Sequence, residues 1–127
     1  MDNIRVSSLQ ATAHQNAVDA GWWEDEVQFG TKIALMHSEL SEALEADRAG
    51  NRYPTEDVGY VYAIEDTGEF RDQFKQHVKD TVFDELADTV IRILDLSGNE
   101  RIDLETHILA KMRYNKTRGY KHGGKNY

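Results

Sequence analysis

The sequence predicts an all-α fold built on a bundle of four helices, and three observations predict the helices. Apolar residues recur at three- and four-residue spacing in four separated segments, the period of one helix face. Proline occurs once, and the nine glycines fall mostly between those segments. No alternating apolar–polar run is long enough to define a sheet.

The first helix is expected over roughly 8–20. Ser7 and Ser8 are natural N-caps, Leu9, Ala13 and Ala17 share a face, and Gly21 supplies a stop. Trp22 and Trp23 follow in a short acidic connection. The second helix, roughly 28–49, carries the stripe Ile33, Met36, Leu40, Ala43 and Leu44, with Gly50 placed as a C′ residue. Residues 51–69 break the pattern with Pro54, Gly59 and Gly68 among aromatic and β-branched residues, and read as a short hairpin or ordered loop inserted between the second and third helices. Phe70, Phe74 and Val78 then return at i, i+4, i+8, so a helix starts there or only at Lys79. The third helix proper, roughly 79–97, carries Val82, Phe83, Leu86, Val90, Ile93 and Leu94 and ends at Gly98. The fourth, roughly 103–117, has Asp103 as N-cap and Leu104, Ile108, Leu109 and Met112 as its apolar face. Residues 119–127 read as a flexible tail, and the whole of 1–127 as a single domain.

Composition narrows the functional classes. A chain of 127 residues with 39% hydrophobic and 30% charged residues suits one modest core and not a membrane protein. The absence of cysteine excludes a disulfide framework, a thiolate metal site and a cysteine nucleophile. With no signal peptide at Met1-Asp2-Asn3, the expectation is a soluble protein of the cytoplasm, or of a host's cytoplasm if virus-encoded. The net charge of −8 conceals an asymmetry: residues 1–105 carry a net −14 and residues 106–127 a net +6. An acidic body would repel a phosphate backbone, so stable nucleic-acid binding is not expected. A small anion held between the basic tail and a cation on the acidic body is.

Two acid pairs give that cation a place. Glu39 and Glu42 are three residues apart on the second helix, and Glu85 and Asp88 repeat the spacing on the third, so each pair shares a helix face at the margin of an apolar stripe. If the helices pack antiparallel, the four carboxylates face one another and stay ionised together only around a cation. All-oxygen donors favour Mg²⁺ or Mn²⁺ over Zn²⁺. On the fourth helix Lys111, Asn115 and Arg118 recur at i, i+4, i+7, a point charge, an amide and a bidentate fork suited to phosphate. Lys121, His122 and Lys125 follow. Trp22 and Trp23 are candidates to stack on a nucleobase, and His14 and Gln15 to read its edge.

These segments resemble the MazG-like nucleoside triphosphate pyrophosphohydrolases, an all-α family related to dimeric dUTPases. Ile33 to Leu44 resembles the first acidic helix of the family, Glu85 to Asp95 the second, and Lys111 to Arg118 with His122-Gly123-Gly124-Lys125 its C-terminal signature. The similarity covers 28–49 and 79–125 in the expected order; where many members carry two consecutive glutamates, this chain has Ser38-Glu39. The resemblance implies Mg²⁺-dependent hydrolysis of (deoxy)nucleoside triphosphates to the monophosphate and pyrophosphate, by attack of a metal-activated water at the α-phosphorus. It implies Glu39, Glu42, Glu85 and Asp88 as metal-binding and catalytic acids; the Ser38-Glu39 departure leaves the general base open in the family comparison, and Glu39 is the proton acceptor expected here. It implies Lys111, Asn115, Arg118, Lys32 and Lys125 as phosphate contacts, and a homodimer or tetramer. A di-iron carboxylate bundle would need Glu-x-x-His pairs that are not here. A non-catalytic helical interaction module with solvated acidic faces is the rival from outside enzymology.

Overall fold

The structure, a computed structural model, describes residues 3–120. Among these there are six helices and no strand: α1 (Val6–Asp19), α2 (Phe29–Arg48), α3 (Val58–Tyr62), α4 (Thr67–His77), α5 (Val82–Asn99) and α6 (Leu104–Thr117). The all-α expectation holds, and the four expected long helices are present with ends shifted by a few residues. None of the six is long and apolar enough to cross a membrane.

The stretch read as a hairpin or loop is where the structure departs from expectation. It holds α3, and α4 follows as a helix separate from α5. Local capping explains both. Asp57 accepts from the Gly59 and Tyr60 amides at 2.7 and 3.4 Å, and Asp66 accepts from Glu69 N at 2.9 Å. The break after α4 falls at 78–81, where Asp80 takes a left-handed φ of 65°. α5 therefore begins at Val82 instead of Lys79. Thr81 caps it by accepting from Asp84 N at 3.2 Å, while the Asp84 carboxylate accepts from Asp80 N at 3.0 Å, a reciprocal arrangement like a capping box.

Other ends follow the same logic. Asp103 caps α6 by accepting from Thr106 N at 3.2 Å, as expected. Ser7 and Ser8 do not cap α1, which starts after Arg5, and Ser7 instead faces Glu105. Gly50, at φ 81°, closes α2 with Gly50 N bonded to Asp47 O and Asn51 N to Ala46 O, the paired bonds of a Schellman motif. Gly98 is not a stop. It lies inside α5, where an added Cβ would sit 2.8 Å from His14 Cβ, so glycine there admits the close approach of α1.

The chain packs as two compact units. The first comprises residues up to 24 and from 94 onward. In it α1 meets α6 and the C-terminal end of α5, with Ala13, Leu94, Leu96 and Ser97 buried. Arg5 Nη2 donates to Glu105 at 2.8 Å and Gln10 Nε2 to Ile102 O at 2.9 Å. The second comprises residues 25–93, with α2, α3, α4 and most of α5. Its buried side chains are Glu39, Ala43, Ala46, Val61, Val78, Thr81, Glu85 and Thr89. The expected stripes are buried only in part: Ala43 and Leu94 turn inward, joined by Glu39, Ala46, Glu85 and Thr89, whereas Leu40, Leu44, Leu86 and Val90 stay exposed. Periodicity identifies an apolar face but not what covers it.

Candidate functional site

The packing of α2 and α5 buries acid groups in the second unit. Glu39 on α2 and Glu85 on α5 are only 7% and 6% exposed. One carboxylate oxygen from each of Glu39, Glu85 and Asp88 lies within 4.8 Å of the others, so three of the four expected acids converge. Glu42 is exposed and lines the adjoining cleft, close enough to act on the ionisation of Glu85 and Glu39. A second group, Asp80, Asp84 and Glu85, gathers within the same distance and shares Glu85 with the first.

The partners of these acids differ, and so does their ionisation. Glu39 Oε1 accepts from Arg92 Nε at 2.8 Å. Burial pushes the Glu39 carboxyl up, but the Arg92 guanidinium and hydrogen bonding with the neighbouring carboxyls outweigh it, leaving it below the ordinary range. Glu85 has no such cation. Among the described residues, its buried Oε2 has no hydrogen-bond partner. Burial first, then hydrogen bonding to Glu39 and Glu42 and their charges, push its carboxyl up to about 8. Asp88 is raised as well, by burial and then by the Glu39 charge. A buried carboxylate oxygen with no donor is a costly thing for a fold to hold. An all-oxygen cluster that repels itself fits a hard divalent cation, which would both satisfy that oxygen and offset the repulsion.

The acids open onto a cleft of about 1270 Å³ in the same unit, lined by the 53–59 segment, α4 and α5. Arg71, Lys75 and Lys79 are its cations. The sequence reading missed Arg92, Arg71 and Lys75. Arg92 lies four residues past Asp88, one turn along the same face, and that spacing was the available signal.

The remaining candidates fall elsewhere. Lys111, Asn115 and Arg118 lie on α6 in the first unit. Lys111 Nζ sits 5.1 Å from the Tyr114 ring centre and Arg118 Cζ 5.9 Å from it, so two of the expected phosphate contacts bracket an aromatic ring. Lys32 is half-buried on α2 in the second unit. Lys121, His122 and Lys125 lie outside the described residues. Ser38 Oγ donates to Leu35 O at 2.6 Å, so its hydroxyl is engaged with its own helix.

Trp22 is 64% exposed, while Trp23 Nε1 donates to Asp95 Oδ1 at 2.8 Å. His14 Nδ1 lies 2.9 Å from the same oxygen, and the His14 and Trp23 rings meet edge-on at 5.6 Å. A carboxylate oxygen can only accept, which places the imidazole proton on Nδ1. Gln15 Nε2 donates to Asp19 at 2.8 Å. Comparison of the chain with protein-family models, with curated proteins and with solved structures finds no match to any of them.

Proposed function

We propose that this chain is a Mg²⁺-dependent nucleoside triphosphate pyrophosphohydrolase, with Mn²⁺ as a substitute ion. The observation that carries the reading is the meeting of Glu39, Glu85 and Asp88 around a buried, unpartnered Glu85 oxygen. Glu39, Glu85 and Asp88 would hold the cation, with Glu42 at the rim. A bound Mg²⁺ supplies neutralising charge to phosphate oxygens and makes water a better nucleophile.

The chain's own contribution is placement. The Arg92 guanidinium fixes one oxygen of Glu39 and leaves the other for a ligand. In the reaction, a water oxygen forms a bond to the α-phosphorus, the bond from that phosphorus to the bridging oxygen breaks, and pyrophosphate leaves. The water's proton passes to a carboxylate of the cluster. Glu39, the expected acceptor, is made less basic by Arg92.

The test is a panel of ribo- and deoxyribonucleoside triphosphates incubated with the protein and Mg²⁺. Pyrophosphate and monophosphate are expected in equal amounts, and Glu42→Gln with Asp88→Asn should lower the rate by at least a hundredfold. Release of orthophosphate alone, or activity surviving in the double variant, overturns the reading. A helical interaction module would instead gain no thermal stability from Mg²⁺, whereas the enzyme should gain about 2–3 kcal/mol at hundredfold excess over Kd.

A further inference from the structure

The cleft beside the acids has a chemistry of its own. Tyr53 and Phe83 line it and meet edge to face, with ring centres 5.2 Å apart at 89°. Both are at least half exposed, so ring faces remain open to a ligand. Phe70 and Phe74 also line it, one turn apart on α4 at 5.8 Å. Arg71 and Lys75 stand on the adjoining column of the same helix, again one turn apart. α4 thus brings an aromatic column and a basic column to one cleft.

The basic column is arranged unusually for a surface helix. Two like charges at i, i+4 destabilise a helix by a few tenths of a kcal/mol. Among the described residues neither Arg71 nor Lys75 makes an ion pair, although Glu56, Asp57, Asp80 and Asp84 line the same cleft. Lys79, by contrast, is spent on Asp80 at 3.0 Å. Two uncommitted cations, open aromatic faces and a cluster suited to a divalent ion call for one kind of ligand: a planar ring joined to a polyanion.

The aromatic wall is also held in place. Thr55 N donates to His77 O at 2.9 Å, and Thr55 Oγ1 and His77 Nδ1 are hydrogen-bonded at 2.7 Å. Val82 N donates to Asn51 O at 3.0 Å. The segment bearing Tyr53 is therefore tied both to the end of α4 and to the start of α5. A volume of about 1270 Å³ exceeds the roughly 300–1000 Å³ common for small-ligand pockets, leaving room for a nucleotide with a hydrated cation.

From this juxtaposition we propose that the cleft is the nucleotide-reading subsite, with Tyr53 and Phe83 contacting the base and Arg71 and Lys75 the β- and γ-phosphates of the triphosphate. The proposal rests on the pyrophosphohydrolase reading and adds to it which residues distinguish a nucleotide from bare polyphosphate.

Binding of an α,β-imido deoxynucleoside triphosphate and of inorganic tripolyphosphate to the full chain, in Mg²⁺, separates the parts. Base stacking on an aromatic side chain is worth about 1–3 kcal/mol, so Phe83→Ala and Tyr53→Leu should each weaken nucleotide binding roughly 5- to 150-fold and leave tripolyphosphate unchanged. Arg71→Gln with Lys75→Gln should weaken both probes by at least tenfold. All four side chains are exposed, so the variants are expected to fold, and an unchanged melting temperature checks this. Wild-type nucleotide affinity in Phe83→Ala and Tyr53→Leu overturns the proposal. So does a selective nucleotide loss in Trp22→Ala instead, which leaves the pyrophosphohydrolase reading standing. Failure of both probes to bind the wild-type chain in Mg²⁺ overturns that reading as well.

Discussion

Glu85 is the residue at which the fold and the proposed chemistry oppose each other. Its carboxyl, pushed up to about 8, keeps a proton in the native chain that the unfolded chain releases above its ordinary 4.5. The native state binds more protons across that window, so stability falls as pH rises from about 4.5 through about 8. Glu39, held low, gives the opposite slope, and only in the acid range. Thermal melting of the metal-free protein should show a decline in Tm between pH 5 and pH 9 that Glu85→Gln largely removes. Mg²⁺, which competes with that proton, should raise Tm more at pH 8.5 than at pH 6. A flat wild-type profile, or one unchanged in Glu85→Gln, would contradict this account. The spacing of the acids was legible in the sequence because i, i+3 pairs are a local property. Their burial was not, because it depends on which face of α2 meets which face of α5.

Among the helices, glycine position makes a sharper test than glycine content. At Gly98 a Cβ would meet His14 Cβ at 2.8 Å, whereas at Gly30 nothing lies within 4 Å. Gly98→Ala should therefore destabilise by about 1–3 kcal/mol through overpacking, less the propensity gain. Gly30→Ala should stabilise by a few tenths to about 1 kcal/mol, with opposite shifts in chemical denaturation midpoints. Asp103→Ala should cost about 1 kcal/mol by uncapping α6. The long helices could be read from periodicity, and Gly50 and Asp103 from their chemistry. α3 was missed, and α4 was anticipated only as one of two possible helix starts, at Phe70, even though Asp66-Thr67-Gly68-Glu69 carries a capping signature, Asp at the N-cap and Glu at the third position. Its acids were counted as loop polarity. α4 is amphipathic, but four charged residues and two glutamines dilute its aromatic stripe to Phe70 and Phe74.

For the whole molecule, the exposed apolar faces of α2 and α5 are the leading fact. Leu44 and Val90 are 51% and 52% exposed, with Leu40 and Leu86 beside them in sequence register on the same helices. Burying such side chains is worth about 1.5–3 kcal/mol each, a strong drive to association. We expect sedimentation equilibrium to find a homodimer or tetramer, and Leu44→Glu with Val90→Glu to weaken association by roughly a hundredfold or more. A monomeric wild-type chain at micromolar concentration would remove this expectation. Such an association is not an alternative to catalysis, because the acid cluster and its cleft use other faces of the same helices.

The bonding of Trp23 to Asp95 has a spectroscopic consequence. The chain has two tryptophans, Trp22 and Trp23, and both lie in the first unit, while the second unit contains none. Indole emission is therefore a private optical signal for one half of the protein. Loss of the Trp23–Asp95 hydrogen bond and of the His14 ring against it would shift that signal without any contribution from the half that carries the acid cluster. Superimposing the emission transition on the far-ultraviolet circular dichroism transition would reveal whether the two units melt as one cooperative body or in sequence. If they melt in sequence, added Mg²⁺ would move only the transition of the unit it binds; if as one body, it would move both signals together.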